Sequence, residues 1–138
     1  MINSDCDISK QDGHVRPFRR DKRRNLKCRL SEECVAAVFA IPAGDLRRRS
    51  RGAARSAFAR QVAMYLAHVG LGLTLTEVGA GFRRDRTTVA HACAVVEDCR
   101  DDPEFDRLMG RLEGALLLMR EIVPPSAERA ARIQDSNR

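Results

Sequence analysis

The chain has 138 residues, with 25 Lys and Arg against 19 Asp and Glu, a formal charge of +6, and 43% hydrophobic residues. That size supports one domain with a modest core, and the basic balance points to nucleic acid ahead of an anionic membrane surface. No window is apolar enough to span a membrane, Met1 to Lys10 lacks the apolar centre of a signal peptide, and the five cysteines fall at no zinc-ligand spacing. The expectation is a cytoplasmic protein with free thiols, no metal and no cofactor.

Ala, Leu and Arg dominate and aromatics are few. This favours helix, so the expected fold class is all-α. Residues 1–30 show no apolar periodicity. Between Arg16 and Arg29 the charges are Arg16, Arg19, Arg20, Lys22, Arg23, Arg24, Lys27 and Arg29 against Asp21 alone. The stretch reads as a disordered basic arm, a clamp on DNA or a solvated tail, with the rest of the chain favouring the clamp. Ser31 reads as the N-cap of a first helix, with Glu32 and Glu33 in the turn where the dipole favours acids. Val35, Val38 and Phe39 lie on one face, and Ile41-Pro42 ends the helix. Ala43 to Leu46 reads as a turn. Arg47 to Gly52 reads as a basic loop able to reach a minor groove or phosphates.

A helix is expected over about 54–69, because Phe58, Val62, Tyr65, Leu66 and Val69 form one apolar stripe. Arg60 and Gln61 lie off that stripe, and Gly70 and Gly72 supply the stop. Thr74-Leu75-Thr76-Glu77 is a capping box for a short helix with Leu75, Val78 and Phe82 inward. Gly79 and Gly81 within it permit another element to approach closely. Residues 83–85 form a turn, and a helix from Arg86 to about Cys99 points Val89, Cys93 and Val96 inward. Short helix, tight turn and longer helix make a helix-turn-helix. Asp85 is placed to cap the longer helix. Three of the four residues from 83 to 86 are arginines, so this helix start invites a phosphate. Asp102-Pro103-Glu104 opens a last helix reaching Val123, with Phe105, Leu108, Met109, Leu112, Leu116 and Met119 on one side. Leu117, Leu118 and Ile122 widen that stripe, as further core in the plainer reading or as a partner surface. Pro124-Pro125 ends the helix, and 124–138 reads as a flexible tail.

These segments resemble a known family. Ala59-Arg60-Gln61-Val62-Ala63-Met64-Tyr65-Leu66-Ala67 resembles a helix of the C-terminal DNA-binding domain of the bacterial replication initiator DnaA. Leu75-Thr76-Glu77-Val78-Gly79-x-x-Phe82, followed by Arg84-Asp85-Arg86-Thr87-Thr88-Val89-x-His91-Ala92, resembles that family's signature in order and spacing. The likeness runs from about Ser31 to Met119. It implies an all-helical fold of the Trp-repressor type that reads one asymmetric duplex site. By matching position, Asp85, Arg86, Thr87 and Thr88 would enter the major groove, Arg60 and Gln61 would hold phosphates, and Arg49 or Arg51 would serve the minor groove. The chain departs from the family in three places. Arg86 stands where the family has histidine, and Arg83 where it often has glycine. The stretch between Arg49 and Arg60 is longer than usual. Arg86 can bind a guanine edge bidentately, which would shift the preferred site.

No G-x-S-x-G, H-E-x-x-H or G-x-x-x-x-G-K-[ST] pattern occurs, and the chain has no room for the initiator's ATPase domain. The acids Glu97, Asp98, Asp101, Asp102, Glu104 and Asp106 read as a solvated interhelical turn, not a paired-acid site. His91, one turn past Thr87, is equally suited to touching DNA and to packing. The combined expectation is a non-enzymatic, stand-alone module of three parts: basic arm 1–30, helix-turn-helix domain 31–123, tail 124–138. It would bind double-stranded DNA as a monomer or weak homodimer at the bacterial nucleoid, as a regulator of transcription or of replication initiation. Arg83 and Arg84 would add phosphate contacts. The rival reading is an adaptor or non-specific DNA coat that holds a protein partner through the 103–123 helix. RNA binding is weaker still, for want of an aromatic platform.

Overall fold

The described chain folds as helices, with no strand among the described residues. The computed structural model describes residues 4–48 and 54–122, with side chains over 20–48 and 54–120. Arg49, Arg51 and the expected tail 124–138 lie outside the described residues.

The N-terminus differs most from expectation. A single helix, α1 (Ser4–Phe39), runs through residues 4–30, which the sequence reads as a loose arm. Apolar periodicity is needed only where a helix packs, and its first fully buried side chain is Cys28. Just ahead of it Lys22, Arg23, Arg24 and Lys27 are good helix formers, and Arg24 pairs with Asp21 at 2.9 Å. Gly13 and Pro17, farther ahead, give the sequence no helix signal. Arg20 reaches Glu77 at 3.6 Å, and Lys27 donates to the Leu71 carbonyl at 3.2 Å. Ser31 is therefore no cap. It is buried in mid-helix, and its hydroxyl donates to the Ala63 carbonyl at 2.6 Å. Val35 is fully buried, whereas Val38, expected beside it, is exposed. α1 closes at Ala40, which is left-handed (φ 52°), with the Ile41 N–H on the Ala36 carbonyl at 3.0 Å.

The expected turn after Pro42 is a short helix, α2 (Ala43–Arg47), which buries Leu46. The central helix α3 (Ala54–Tyr65) runs on into a π-helical turn over Leu66–Gly70. Val62, Tyr65 and Leu66 are buried as the stripe requires. Val69 is not. The wider turn, closed by the Leu71 N–H on the Leu66 carbonyl, rotates it to the surface. α4 (Leu75–Phe82) starts at the expected capping box. The Thr74 hydroxyl accepts from the Glu77 N–H at 3.2 Å, and Glu77 accepts from the Thr74 N–H at 2.9 Å. α5 (Arg86–Cys99) and α6 (Pro103–Ile122) complete the order, α6 with Asp102 accepting from the Glu104 N–H.

α3 is the axis of the core. Val35, Leu46, Leu71, Val96, Met109 and Leu116 close around Val62, Tyr65 and Leu66. Each full burial of a side chain of this size contributes about 1.5–3 kcal/mol. A smaller cluster underlies the helix-turn-helix, where Val78, Val89 and Ala92 meet Cys28, Met64, Ala67 and Leu73. At its tightest point a side chain on Gly81 would run into the Cys28 sulfur. Burial pushes that thiol up to about 12, with the Glu32 charge adding to the effect. On α6, Met109, Leu112 and Leu116 are buried, but Leu117 and Leu118 are 50% and 66% exposed. Following Leu116 at 100° per residue, they turn away from the core, so the plainer reading of these leucines is wrong.

Candidate nucleic-acid interface

Glycine chemistry sets the turn between α4 and α5. The Arg84 N–H returns to the Gly79 carbonyl at 2.9 Å, and a Cβ on Gly79 would lie 2.7 Å from the Arg84 carbonyl oxygen. Only glycine lets the chain fold back this closely. Arg83 caps α4 in the left-handed region, φ 56° and ψ 47°. For a residue with a side chain this conformation costs about 1–2 kcal/mol. Asp85 then takes the N-cap position of α5, but its side chain makes no capping hydrogen bond. The first turn of α5 thus keeps its backbone N–H groups and positive dipole end open to an anion.

The side chains around that helix start face solvent. Asp85, Arg86, Thr87, Thr88 and His91 are exposed, while Val89, Ala92 and Val96 are buried behind them. His91, read as suited to DNA contact or to packing, lies off the buried face of α5. Thr87, Ala90, His91 and Ala94 form the outward stripe of α5, small or uncharged side chains that let a helix sit deep in a groove. Acidic residues gather only at the far end of α5.

That far end is held rigidly. Arg100 donates to Asp106 at 2.6 Å, to Glu113 at 2.6 Å and to the Tyr65 hydroxyl at 2.9 Å. Tyr65 in turn donates to Glu97 at 2.9 Å. The network ties α5 to both α3 and α6. Asp106 and Glu113 hold Arg100 charged, and burial raises the Tyr65 hydroxyl pKa. Glu97 and Asp106, expected in a solvated turn, are members of this network.

The remaining expected residues divide. Arg84 is half-buried, and its guanidinium donates to the Arg48 carbonyl at 3.1 Å. This pins the helix-turn-helix to the end of α2. Arg60 is only 8% exposed and is spent on the interior, donating to the Leu46 carbonyl at 2.7 Å and to that of Asp45 at 3.2 Å. Burial, and then the Arg84 charge, lowers its pKa. Arg60, expected to hold a phosphate, thus commits two of its guanidinium nitrogens to carbonyls of α2. Gln61 is half-buried on α3. Arg47, expected at the start of a basic loop, is the last residue of α2, and Arg29, expected in a loose arm, lies on α1. Together with Arg83 they line a cavity of about 250 Å³ between α1, α2 and the turn. No local sequence signal marks Arg29, which sits inside a basic run; only the helical path of α1 brings it here.

An exposed, open-ended second helix behind a glycine-tightened turn, braced by a core helix, defines a helix-turn-helix domain. Residues 32–96 match the family described as Bacterial dnaA protein helix-turn-helix. The chain is 31% identical over 101 residues to the chromosomal replication initiator protein DnaA of Treponema denticola, covering 72% of this chain and 21% of that protein. It is 35% identical over 91 residues to the same-named protein of a Thermoanaerobacter species, covering 66% and 20%. A crystal structure described as a DNA replication initiation factor superposes with a TM-score of 0.66 at 30% identity, over 83% of this chain and 36% of that one. The chain therefore spans about a fifth of the length of these initiator relatives.

Proposed function

We propose that this protein reads a specific double-stranded DNA site of the initiator type, with α5 in the major groove. The observation that carries the reading is the open start of α5. Its first turn has no side-chain cap, and the side chains of Asp85, Arg86, Thr87, Thr88 and His91 around it are exposed. Arg86, Thr87 and Asp85 read base edges, with Thr88 and His91 flanking them. Arg86 suits a guanine, and Asp85 suits a cytosine amine. Arg83 and Arg84 give charge to the phosphates, Gln61 adds a phosphate contact, and Arg49 or Arg51 serves the minor groove. Arg60 holds α2 through the Asp45 and Leu46 carbonyls, with its remaining nitrogen left for a phosphate. The protein works without catalysis, as a monomer or weak homodimer in the bacterial cytoplasm, by occupying sites that govern replication initiation or transcription.

Fluorescence anisotropy against an initiator-type box and a scrambled duplex, each at two salt concentrations, tests this reading. A preference for the box that survives higher salt is expected. Arg86→Ala should cost roughly 1–3 kcal/mol on the best site and relax the preference. Equal loss on both duplexes would contradict base readout. A second reading, a protein adaptor, rests on the exposed Leu117 and Leu118 of α6. Replacing both with Gln should leave DNA binding unchanged under the first reading and abolish partner capture under the second.

A further inference from the structure

The cavity beside the helix-turn-helix turn has a feature that base readout does not use. Arg29 on α1 and Arg83 at the end of α4 stand on different walls, and Arg47 and Glu32 close a third side. Glu32 is 4% exposed, and Arg47 donates to it at 2.6 Å and to Glu33 at 3.0 Å. The buried carboxylate is thus neutralised within the wall. Arg29 and Arg83, both exposed, make no ion pair among the described residues. Leu46, Gly81 and Phe82 supply an apolar floor, against which the attraction between opposite charges is less screened than in open water. The lining is net cationic, concave and next to the open start of α5. Arg83 stays in the left-handed region, where glycine would be free of strain. A left-handed arginine lining a cationic hollow is the kind of backbone outlier that points to a functional role.

We infer that this cavity is a seat for a phosphate group, taken from the backbone of the bound duplex and gripped between Arg29 and Arg83. The inference rests on the DNA-reading proposal and extends it. The footprint on DNA runs past the helix-turn-helix onto α1, which becomes a structural part of the interface in place of a loose arm. Guanidinium groups suit the role because they bind phosphate oxygens in pairs and stay charged. The contact carries no sequence information; it sets the angle at which α5 enters the groove.

The test measures wild type, Arg29→Ala and Arg29→Lys on box and scrambled duplexes across a salt series. Thermal unfolding controls for folding, which an exposed residue such as Arg29 should leave unaltered. Arg29→Ala is expected to weaken binding to both duplexes alike, by about five- to tenfold near 0.1 M salt. It should lower the log–log salt slope by about 0.9, the value for one lost phosphate contact. Arg29→Lys should restore most of the slope. A wild-type protein that prefers the box, combined with an Arg29→Ala variant of unchanged affinity and slope, overturns the seat and leaves base readout standing. A wild type that binds no duplex overturns the parent reading instead. A calorimetric titration with inorganic phosphate separates the two sources of the anion. Saturable phosphate binding that requires Arg29, with DNA binding indifferent to Arg29, assigns the cavity to a free anion and refutes the backbone seat. Lack of saturable phosphate binding, together with the altered DNA slope, supports it.

Discussion

Replacing Arg83 with glycine should move stability and DNA binding in opposite directions. Arg83 sits at φ 56°, which costs a residue with a side chain about 1–2 kcal/mol. Glycine relieves that strain, but its looser unfolded chain takes back about 0.4–1 kcal/mol. The net expectation is a gain of about 0.5–1 kcal/mol, or roughly 2–4 °C in Tm for a chain of this size. On the binding side, the variant loses one guanidinium at the turn and one wall of the cationic cavity. The salt slope should fall by about 0.9, with several-fold weaker binding to any duplex. Circular dichroism melts and anisotropy titrations read the two effects separately. Arg83→Ala is the decisive control, because it removes the charge and keeps the left-handed strain. It should bind like the glycine variant and unfold at a lower temperature. A glycine variant no more stable than Arg83→Ala would refute the strain argument. A glycine variant that binds as tightly as wild type would refute the contact.

Three further expectations follow from the interior. Arg60→Ala strands the carbonyls of Leu46 and Asp45 and should cost about 2–3 kcal/mol in a denaturant titration, whereas Gln61→Ala should fall within about 0.5 kcal/mol of wild type. Gly81→Ala adds about 1 kcal/mol of helix propensity but drives a methyl group into the Cys28 sulfur, so it should be net destabilising by about 1–2 kcal/mol. The cost should shrink sharply in a Cys28→Ala background, and a double-mutant cycle measures that coupling. Glu77 is held below the usual carboxylate range by the Thr74 backbone N–H first, with its hydroxyl, Arg20 and Lys27 helping. A carboxyl depressed on folding stabilises the protein above the ordinary glutamate range and loses that contribution as pH falls through its folded value. Glu77→Gln should therefore flatten the acid limb of a plot of Tm against pH, and an unaltered limb would show that the capping box carries no such linkage.

The parts of the fold legible in the sequence are those whose chemistry is local. Thr74 and Glu77 cap each other across three residues, and Asp102-Pro103 starts a helix by its own geometry. Arg86 opens α5 where the turn signal placed it. The misread parts depend on distant partners. Ser31 looks like a cap until Ala63 is found beside it, and α1 looks disordered until its packed face is known. Arg60 lies off the apolar stripe of α3 and so reads as free for a ligand. Nothing nearby in sequence reveals that α2 covers it with two carbonyl oxygens. In the candidate interface the exposure of residues 85–88 and 91 was legible because Val89, Cys93 and Val96 set the inward face of α5. The place of Arg29 beside the turn was not, since one arginine in a basic run differs from its neighbours only in where the helix points it.

The two ends of α5 are finished differently. At Arg100 the helix is clamped through Asp106, Glu113 and the hydroxyl of Tyr65, while at Asp85 it ends with no side-chain cap. The uncapped end is nonetheless seated: the Arg84 N–H returns to the Gly79 carbonyl, the Arg84 guanidinium holds the Arg48 carbonyl, and Val89 is fully buried one turn in. What stays open there is hydrogen-bonding capacity, on a helix whose position both ends fix. An anion arriving at that end meets donors already in place, so little ordering of the protein is needed to bind it.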